Sequence, residues 1–277
     1  GEYGGRAGAH DGLTGDWRRI TAVEVVDQNP MGKSSRSNPV TYLKAYDDIR
    51  NLYAAQKSAQ LRGYAAKHFS FNTDGGRCSV CQGDGYVTVE MQFMADVHLT
   101  CEQCHGKRFM AEVLEVEFQG KSISDILELT VDEAMEFFSA HQQKKITDKL
   151  RPLADVGLGY IQLGQSSSTL SGGEAQRVKL ASFLTRGQQA DPVLFVFDEP
   201  TTGLHMDDVQ KLLVSFDALI NLGHTVLVVE HHRDVLASAD WLIELGPDGG
   251  PDGGHLLFAG DPREMGAISS PTSIALS

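Results

Sequence analysis

The chain is short of several residue types, and each shortage narrows what it can be. It holds four cysteines, two tryptophans and nine prolines among 277 residues. No apolar run approaches the ~18 residues of a membrane-spanning helix; the longest are Val193–Phe197 and Thr225–Val229. Residues 1–19 contain no apolar stretch of the signal-peptide kind, so a cytoplasmic location and no membrane partner are expected. Positive charge is scarce, with 24 Lys and Arg against 37 Asp and Glu and a net charge of −13, which argues against non-specific nucleic-acid binding by the whole surface. There are no internal repeats. The first residue is not Met, and the Gly-rich opening GEYGGRAGAHDGLTGD reads as the middle of a longer polypeptide, so a fragment or processed product is expected.

A phosphate-binding P-loop is also lacking. The stretch 27-DQNPMGKSS-35 ends in Gly32-Lys33-Ser34, like the tail of such a loop. A P-loop needs a glycine five positions before Gly32, so that the backbone can curl its N–H groups toward phosphate. That position is Asp27, which adds a negative charge instead, and Pro30 removes a donor from the middle of the loop. What remains is a chain with 41% hydrophobic residues, enough for one large or two modest domains. Its charge is uneven. From Met31 to Lys67 there are seven basic residues against Asp47 and Asp48, whereas Asp191 onward is strongly acidic. A basic first half could meet a polyanion, or the imbalance could be ordinary surface charge.

All four cysteines fall in one pattern: Cys78 and Cys81, then Cys101 and Cys104, two Cys-x2-Cys pairs separated by residues 82–100. Two such knuckles can close a tetrahedral four-sulfur Zn²⁺ site. Gly83, Gly85 and Gly106 follow the pairs and suit the left-handed turns that fold a knuckle back on its sulfurs. Two disulfides are the alternative, disfavoured without a secretory signal. Four thiolates leave no open position for water, so the metal's role would be structural. Between the pairs, Val87, Val89, Met91 and Phe93 alternate with polar residues, and Val97–Leu99 can return after a turn at Ala95-Asp96. A zinc-stapled β-hairpin is expected. It could reach a partner or simply stiffen an insertion.

A second constellation points to nucleotide. Ser171-Gly172-Gly173 opens a helix, with Ser171 as N-cap and Glu174 in the first turn. Free N–H groups and the positive dipole end there suit a phosphate. The apolar strand 193–197 ends in Asp198-Glu199, where α/β sheets bind ligands. One carboxylate would hold Mg²⁺, and the other would orient or deprotonate an attacking water. A further apolar strand, 225–229, runs to His231, placed to contact a γ-phosphate.

The order Leu170-Ser171-Gly172-Gly173-Glu174, Asp198-Glu199, His231 resembles an ABC-type ATPase: signature motif, Walker B strand with catalytic Glu199, D-loop at Pro200–Leu204, and H-switch His231. The runs 171-SGGEAQRVKLAS-182, 198-DEPTTGLH-205, 76-GRCSVCQGDGYVTVEM-91 and 101-CEQCHGKR-108 resemble the UvrA family of the ABC excinuclease, in its C-terminal half. The likeness runs from about Ile20 to Pro262. It implies an α/β, ABC-type P-loop NTPase half, a mostly parallel sheet flanked by helices, with an inserted helical signature region and a four-cysteine zinc β-hairpin module. It implies that Gln28 is the Q-loop residue sensing Mg²⁺ and the γ-phosphate, that Lys33 and Ser34 are not Walker A residues, and that the true Walker A lies upstream or is missing.

The implied layout is 1–39 as the remainder of the ATP-binding domain with the Q-loop, then 40–165 as a signature domain with the zinc module at about 76–110. The ATP-binding domain resumes over 166–262; beyond the likeness lies a tail, 263–277, expected to be mobile as a chain terminus. The implied function is ATP-dependent recognition of DNA damage in nucleotide excision repair, with Zn²⁺, ATP and Mg²⁺. The implied partners are damaged duplex DNA, UvrB-type and UvrC-type proteins, a second ATPase half and a second copy. ABC sites are composite, so Ser171, Gly172, Gly173 and Glu174 would serve the nucleotide of a partner half, and Gln28, Asp198, Glu199 and His231 this half's own. Lacking Walker A, the chain alone should turn over little ATP. Candidates for DNA backbone contact, chosen by charge and nearness to the zinc module, are Arg62, Lys67, Arg77, Lys107 and Arg108. The rings of Tyr64, Phe69 and Phe71 are expected in the core. Two other readings are a non-catalytic module that lends its signature loop to another ATPase half, and a drug-resistance paralogue of UvrA.

Overall fold

Caps and periodicity divide the chain into a helical part and a strand-bearing part, and the computed structural model follows that division. It describes residues 11–27, 37–89, 91, 96–185, 191–247, 253–267 and 270–276. After a 3-10 turn at Trp17–Arg19 comes strand β1 (Ala22–Val26), followed by helices α1 (Pro39–Tyr42), α2 (Ala45–Ala54) and α3 (Lys57–Leu61). The hairpin between the two cysteine pairs is β2 (Tyr86–Val89) and β3 (Val97–Thr100). Then come α4 (Ala111–Leu114), the two-residue strands β4 (Glu117–Phe118) and β5 (Lys121–Ser122), and helices α5 (Ile123–Glu128), α6 (Val131–Ala140) and α7 (Lys144–Asp155). The last stretch is α8 (Gly172–Leu184), β6 (Val193–Asp198), α9 (Met206–Asn221), β7 (Thr225–Val229), α10 (Arg233–Ser238), β8 (Leu242–Gly246), β9 (His255–Gly260) and α11 (Pro271–Leu276).

The helix starts have a common cause. Ser122, Thr130 and Ser171 each accept the N–H of the residue three on, while Asp125, Glu133 and Glu174 reach back to the cap's own N–H. These capping boxes satisfy two orphan donors per helix. Thr130 caps α6 with Asp132 and Glu133 in its first turn, as its sequence predicts.

The sheet is three-stranded and parallel, in the order β1-β6-β7. Its register puts Val26, Phe195, Phe197, Val226 and Val228 on one face, toward α8 and α9. Strands β8 and β9 form a separate antiparallel pair. One continuous apolar core runs from this sheet through Val178 and Leu180 of α8, Leu212 and Phe216 of α9 and Leu150 of α7 to Ile49 and Tyr53 of α2. Phe69 and Phe71 lie fully in this core, and Tyr64 packs against it. Tyr46 and Tyr53 keep their hydroxyls satisfied on the carbonyls of Phe69 and Lys121, both at 2.7 Å.

Two expectations need correction. The apolar strands 193–197 and 225–229 read as buried on both sides, yet the described residues cover only one sheet face. On the other, Val23, Val25, Leu227 and Val229 are exposed, Leu227 at 46% and Val229 at 55%. Parallel sheets normally carry helices on both faces, which explains why the strands are apolar throughout. The expected mobile tail is instead folded: a 3-10 segment over Pro262–Ala267 buries Met265, and Ser270 and Ser273 are buried and hydrogen-bonded to each other at the start of α11, which contacts α10. The exchanged serine caps and the apolar Met265 anchor it.

Phe138 of α6 is fully buried and stacks edge-on with Phe137. Phe138→Ala is expected to lower unfolding stability by about 3–5 kcal/mol, read as a shift of the urea midpoint with an unchanged slope.

Candidate functional site

The cysteine module is built on two knuckles. Gln82 (φ +55°) and Gly83 (φ +92°) turn the first, and His105 (φ +50°) and Gly106 (φ +84°) the second. A side chain at Gly83 would put its Cβ 2.0 Å from the Phe71 carbonyl oxygen, so this knuckle can seat only on glycine. The backbone closes the module through Cys78 N–H to Arg108 O at 2.8 Å and Cys101 N–H to Gly85 O at 3.0 Å. All four cysteines are buried and free, and their sulfurs lie within 4.8 Å of one another.

Sγ separations of 3.8 Å (Cys78–Cys101) and 3.6 Å (Cys81–Cys104) exclude disulfides, which need about 2.05 Å. Sulfurs about 2.3 Å from a tetrahedral Zn²⁺ stand about 3.8 Å apart, so the observed spacings fit such an ion. Burial alone would raise the Cys101 thiol, but N–H groups of Cys104 and Gln103 and the thiols of Cys104 and Cys78 outweigh it and bring the pKa to about 7. Burial pushes Cys81 up and Cys104 up to about 12. A divalent cation held by the four sulfurs would supply the positive charge that favours thiolate over thiol.

The expected hairpin is present, β2 antiparallel to β3. Val87 pairs with Leu99 and Val89 with Val97 on an exposed face. Phe93 and Ala95 lie outside the described residues. The five basic candidates behave differently from one another. Arg62 pairs with Glu115 and donates to Glu112 O; Arg77 pairs with Asp74 and donates to Gln82 O; Arg108 lies over the Phe71 ring and donates to Gly164 O. Lys67 and Lys107 are exposed, with no ion pair among the described residues.

At the carboxyl end of the sheet, β6 presents Asp198 and then Glu199, which sits at φ +44° with its N–H bonded to Val229 O at 2.9 Å. The Glu199 carboxylate stands 4.0 Å from His231 Nδ1. Both side chains are exposed, at 54% and 78%. Helix α8 aims its start at the same end: a Cβ on Gly173 would lie 2.9 Å from Thr202 O, in the turn after Glu199. Ser171 and Glu174 form the capping box, and Tyr160 donates to Glu174 Oε1 at 2.6 Å. Burial would raise the Glu174 carboxyl, but the Tyr160 and Ser171 bonds outweigh it and hold it below the usual range, while burial and Glu174 push Tyr160 up to about 12. Glu174 therefore fastens the loop. Gln28 lies outside the described residues, as do Lys33 and Ser34.

Residues that periodicity does not single out join these pieces. Gln176 Nε2 donates to the carbonyls of Val26 (2.7 Å) and Asp198 (3.2 Å), and Lys179 Nζ reaches Asp27 Oδ1 at 2.8 Å. Their three-residue spacing on α8 is the only sequence signal, masked by the apolar positions of the same helix. Glu230, beside His231, holds Thr201, His231 and His232.

No family model matches the chain. It is similar to UvrABC system protein A from Aquifex aeolicus, 53% identical over 246 residues, covering 89% of this chain and 26% of that protein. It is likewise similar to UvrABC system protein A from Thermus thermophilus, 49% identical over 269 residues, covering 97% of this chain and 28% of that protein. Among solved structures it resembles UvrA2 from Deinococcus radiodurans, with a TM-score of 0.87 and 47% identity over 95% of this chain and 32% of that one. The chain thus spans about a quarter of the length of these curated relatives.

The metal centre makes a direct prediction. Purified chain should carry zinc at one per molecule by elemental analysis, and Cys104→Ser should lose it. Because the raised thiols of Cys81 and Cys104 must lose protons to bind, zinc affinity should fall as pH is lowered, more steeply than about tenfold per pH unit. Competition with a chelator across pH measures that slope.

Proposed function

Because the chain belongs to the UvrABC system protein A family over the segment it shares with those relatives, we propose that it is a nucleotide-handling unit of an ATP-dependent protein that recognises damaged DNA in nucleotide excision repair. The observation that carries this reading is the convergence of the α8 start, Asp198-Glu199 and His231 on one end of a parallel sheet, with a four-cysteine cluster on the inserted region.

In this reading Asp198 would hold Mg²⁺, which would neutralise phosphate charge, and Glu199 would be the general base that takes a proton from water. His231 contacts the γ-phosphate, and Gln28 senses metal and phosphate. Ser171, Gly172 and Gly173 offer backbone N–H groups to a nucleotide held by a second ATPase half, with Glu174 as their fastening. Zn²⁺ on Cys78, Cys81, Cys101 and Cys104 keeps the hairpin folded. The bare sheet face lined by Val23, Val25, Leu227 and Val229 is where a P-loop-bearing element would pack. Duplex DNA would meet the zinc-module side, with Lys67 and Lys107 as the backbone contacts; Arg62, Arg77 and Arg108, held by partners within the chain, shape that surface. UvrB-type and UvrC-type proteins would act on the same DNA, in the cytoplasm, with a second copy of the protein completing the assembly.

The chain alone should hydrolyse ATP slowly. Joined to a P-loop-bearing segment, it should turn over ATP, and Glu199→Gln should lower kcat by about 10²–10⁴-fold. Turnover that Glu199→Gln leaves intact would remove Glu199 from the chemistry.

Lys67→Ala and Lys107→Ala should weaken DNA binding uniformly across sequences, each reducing the slope of log affinity against log salt by about 1. Fluorescence anisotropy at several salt concentrations reads this directly.

A further inference from the structure

Glu230 is the last residue before His231, and its side chain is 0% exposed. A buried carboxylate is costly unless its lone pairs are satisfied. Here four donors converge on it. Thr201 gives its N–H at 2.9 Å and its hydroxyl to Oε1; His231 and His232 give their N–H groups at 2.6 and 2.9 Å to Oε2. The two oxygens therefore serve two different turns. Oε1 serves the turn after β6, which contains Glu199 and in which Thr202 N–H bonds Glu199 O at 3.2 Å. Oε2 serves the turn after β7, which carries His231. Burial by itself would raise the Glu230 carboxyl, but the bonds from Thr201, His231 and His232 outweigh it and hold the group below the usual range, so it stays charged. The Glu199 and His231 side chains are largely exposed and stand 4.0 Å apart, and His231 Nδ1 lies 3.6 Å from Glu230 Oε2. Glu199 also keeps a left-handed backbone, φ +44°, which a non-glycine residue holds only when its neighbours impose it.

We propose that Glu230 is a positioning residue: a buried carboxylate strut that ties the turn bearing Glu199 to the turn bearing His231 and so sets their separation. This rests on the reading of Glu199 and His231 as the hydrolytic pair. Both turns demand an acceptor from the strut. A glutamine has one acceptor oxygen and one NH2 group, so it can satisfy Thr201 or the two histidine amides, but not both. The other turn would face donor against donor.

The test has two arms. In the full 277-residue chain, amide exchange is followed by NMR at Thr201, His231, His232 and, as controls, Val196 and Val228. Glu230→Gln should speed exchange at one of the two turns by about fivefold or more, with the control amides unchanged. Thr201→Val keeps the carboxylate and serves if Glu230→Gln does not fold. It should loosen His231 and His232, on the far side of the strut, because Oε1 loses its hydroxyl donor. Unchanged exchange at the histidine amides in both variants, or uniform loss of protection across the sheet, overturns the proposal.

In the second arm, with a P-loop-bearing segment joined, Glu230→Gln should lower kcat by about 10²-fold, the cost of a displacement near 1 Å, with KM nearly unchanged. Glu230→Asp should recover only part of this, being one methylene too short to reach both turns. If Glu199→Gln leaves turnover intact, the hydrolytic reading fails, and the amide arm still decides whether Glu230 joins the two turns. If Glu199→Gln abolishes turnover and Glu230→Gln does not lower kcat, the positioning role fails.

Discussion

One side-chain amide fixes helix α8 against the end of the sheet. Gln176, nine-tenths and more buried, donates Nε2 to the carbonyl oxygens of Val26 and Asp198 at the ends of two neighbouring parallel strands. Those carbonyls sit at the strand ends, in buried and part-buried surroundings where backbone groups favour a hydrogen-bond partner. By answering both, Gln176 pins α8 across the end of the sheet. Lys179 repeats the attachment on Asp27. With α8 fixed there, Gly173 comes against the carbonyl of Thr202, and no residue larger than glycine fits. The position of the Ser171-Gly172-Gly173 loop relative to Glu199 follows from these contacts rather than from the loop's own preferences.

Charge is handled in the same spirit. Glu174 and Glu230 are acidic, partly or wholly buried, and each is held ionised by hydrogen bonds that outweigh desolvation. Asp198, Glu199 and His231 are exposed at the sheet end. Buried carboxylates thus shape the loops, and exposed ones face solvent, where metal or phosphate can reach them. This division suits a chain of net charge −13, since further acidic groups can be buried only where donors already converge.

The four-cysteine module solves a different problem. A two-stranded hairpin is marginal in water, and this one exposes Val87, Val89, Val97 and Leu99. Its stability comes from its base, where four sulfurs, three left-handed glycines and the close seat of Gly83 on Phe71 lock the strands to the aromatic core. The Phe71 ring carries Arg108 above it, so the module, the core and a basic surface are one continuous contact. Three of the five basic residues near it are occupied within the chain because a guanidinium presents several donors in a fixed fork and finds carbonyls readily, whereas Lys67 and Lys107 end in compact ammonium groups directed to water.

Local signals are enough for much of this. The spacing of four cysteines announces the metal cluster, the Ser/Thr-x-x-Asp/Glu boxes announce helix starts, and the apolar runs ending in Asp198-Glu199 and before His231 announce parallel strands. All of these depend on chemistry within a few residues or on the fixed reach of a knuckle, so the chain order alone decides them. Tertiary structure decides what lies between distant segments: that the described residues cover one sheet face, that the segment after Pro262 packs on α10, and that Arg62, Arg77 and Arg108 are occupied inside the chain. It also decides that Gln176 and Glu230 find carbonyls and amides from strands and turns up to 150 residues away. A hydrogen bond of that kind leaves no periodic trace, because its partner is a backbone atom that every residue carries.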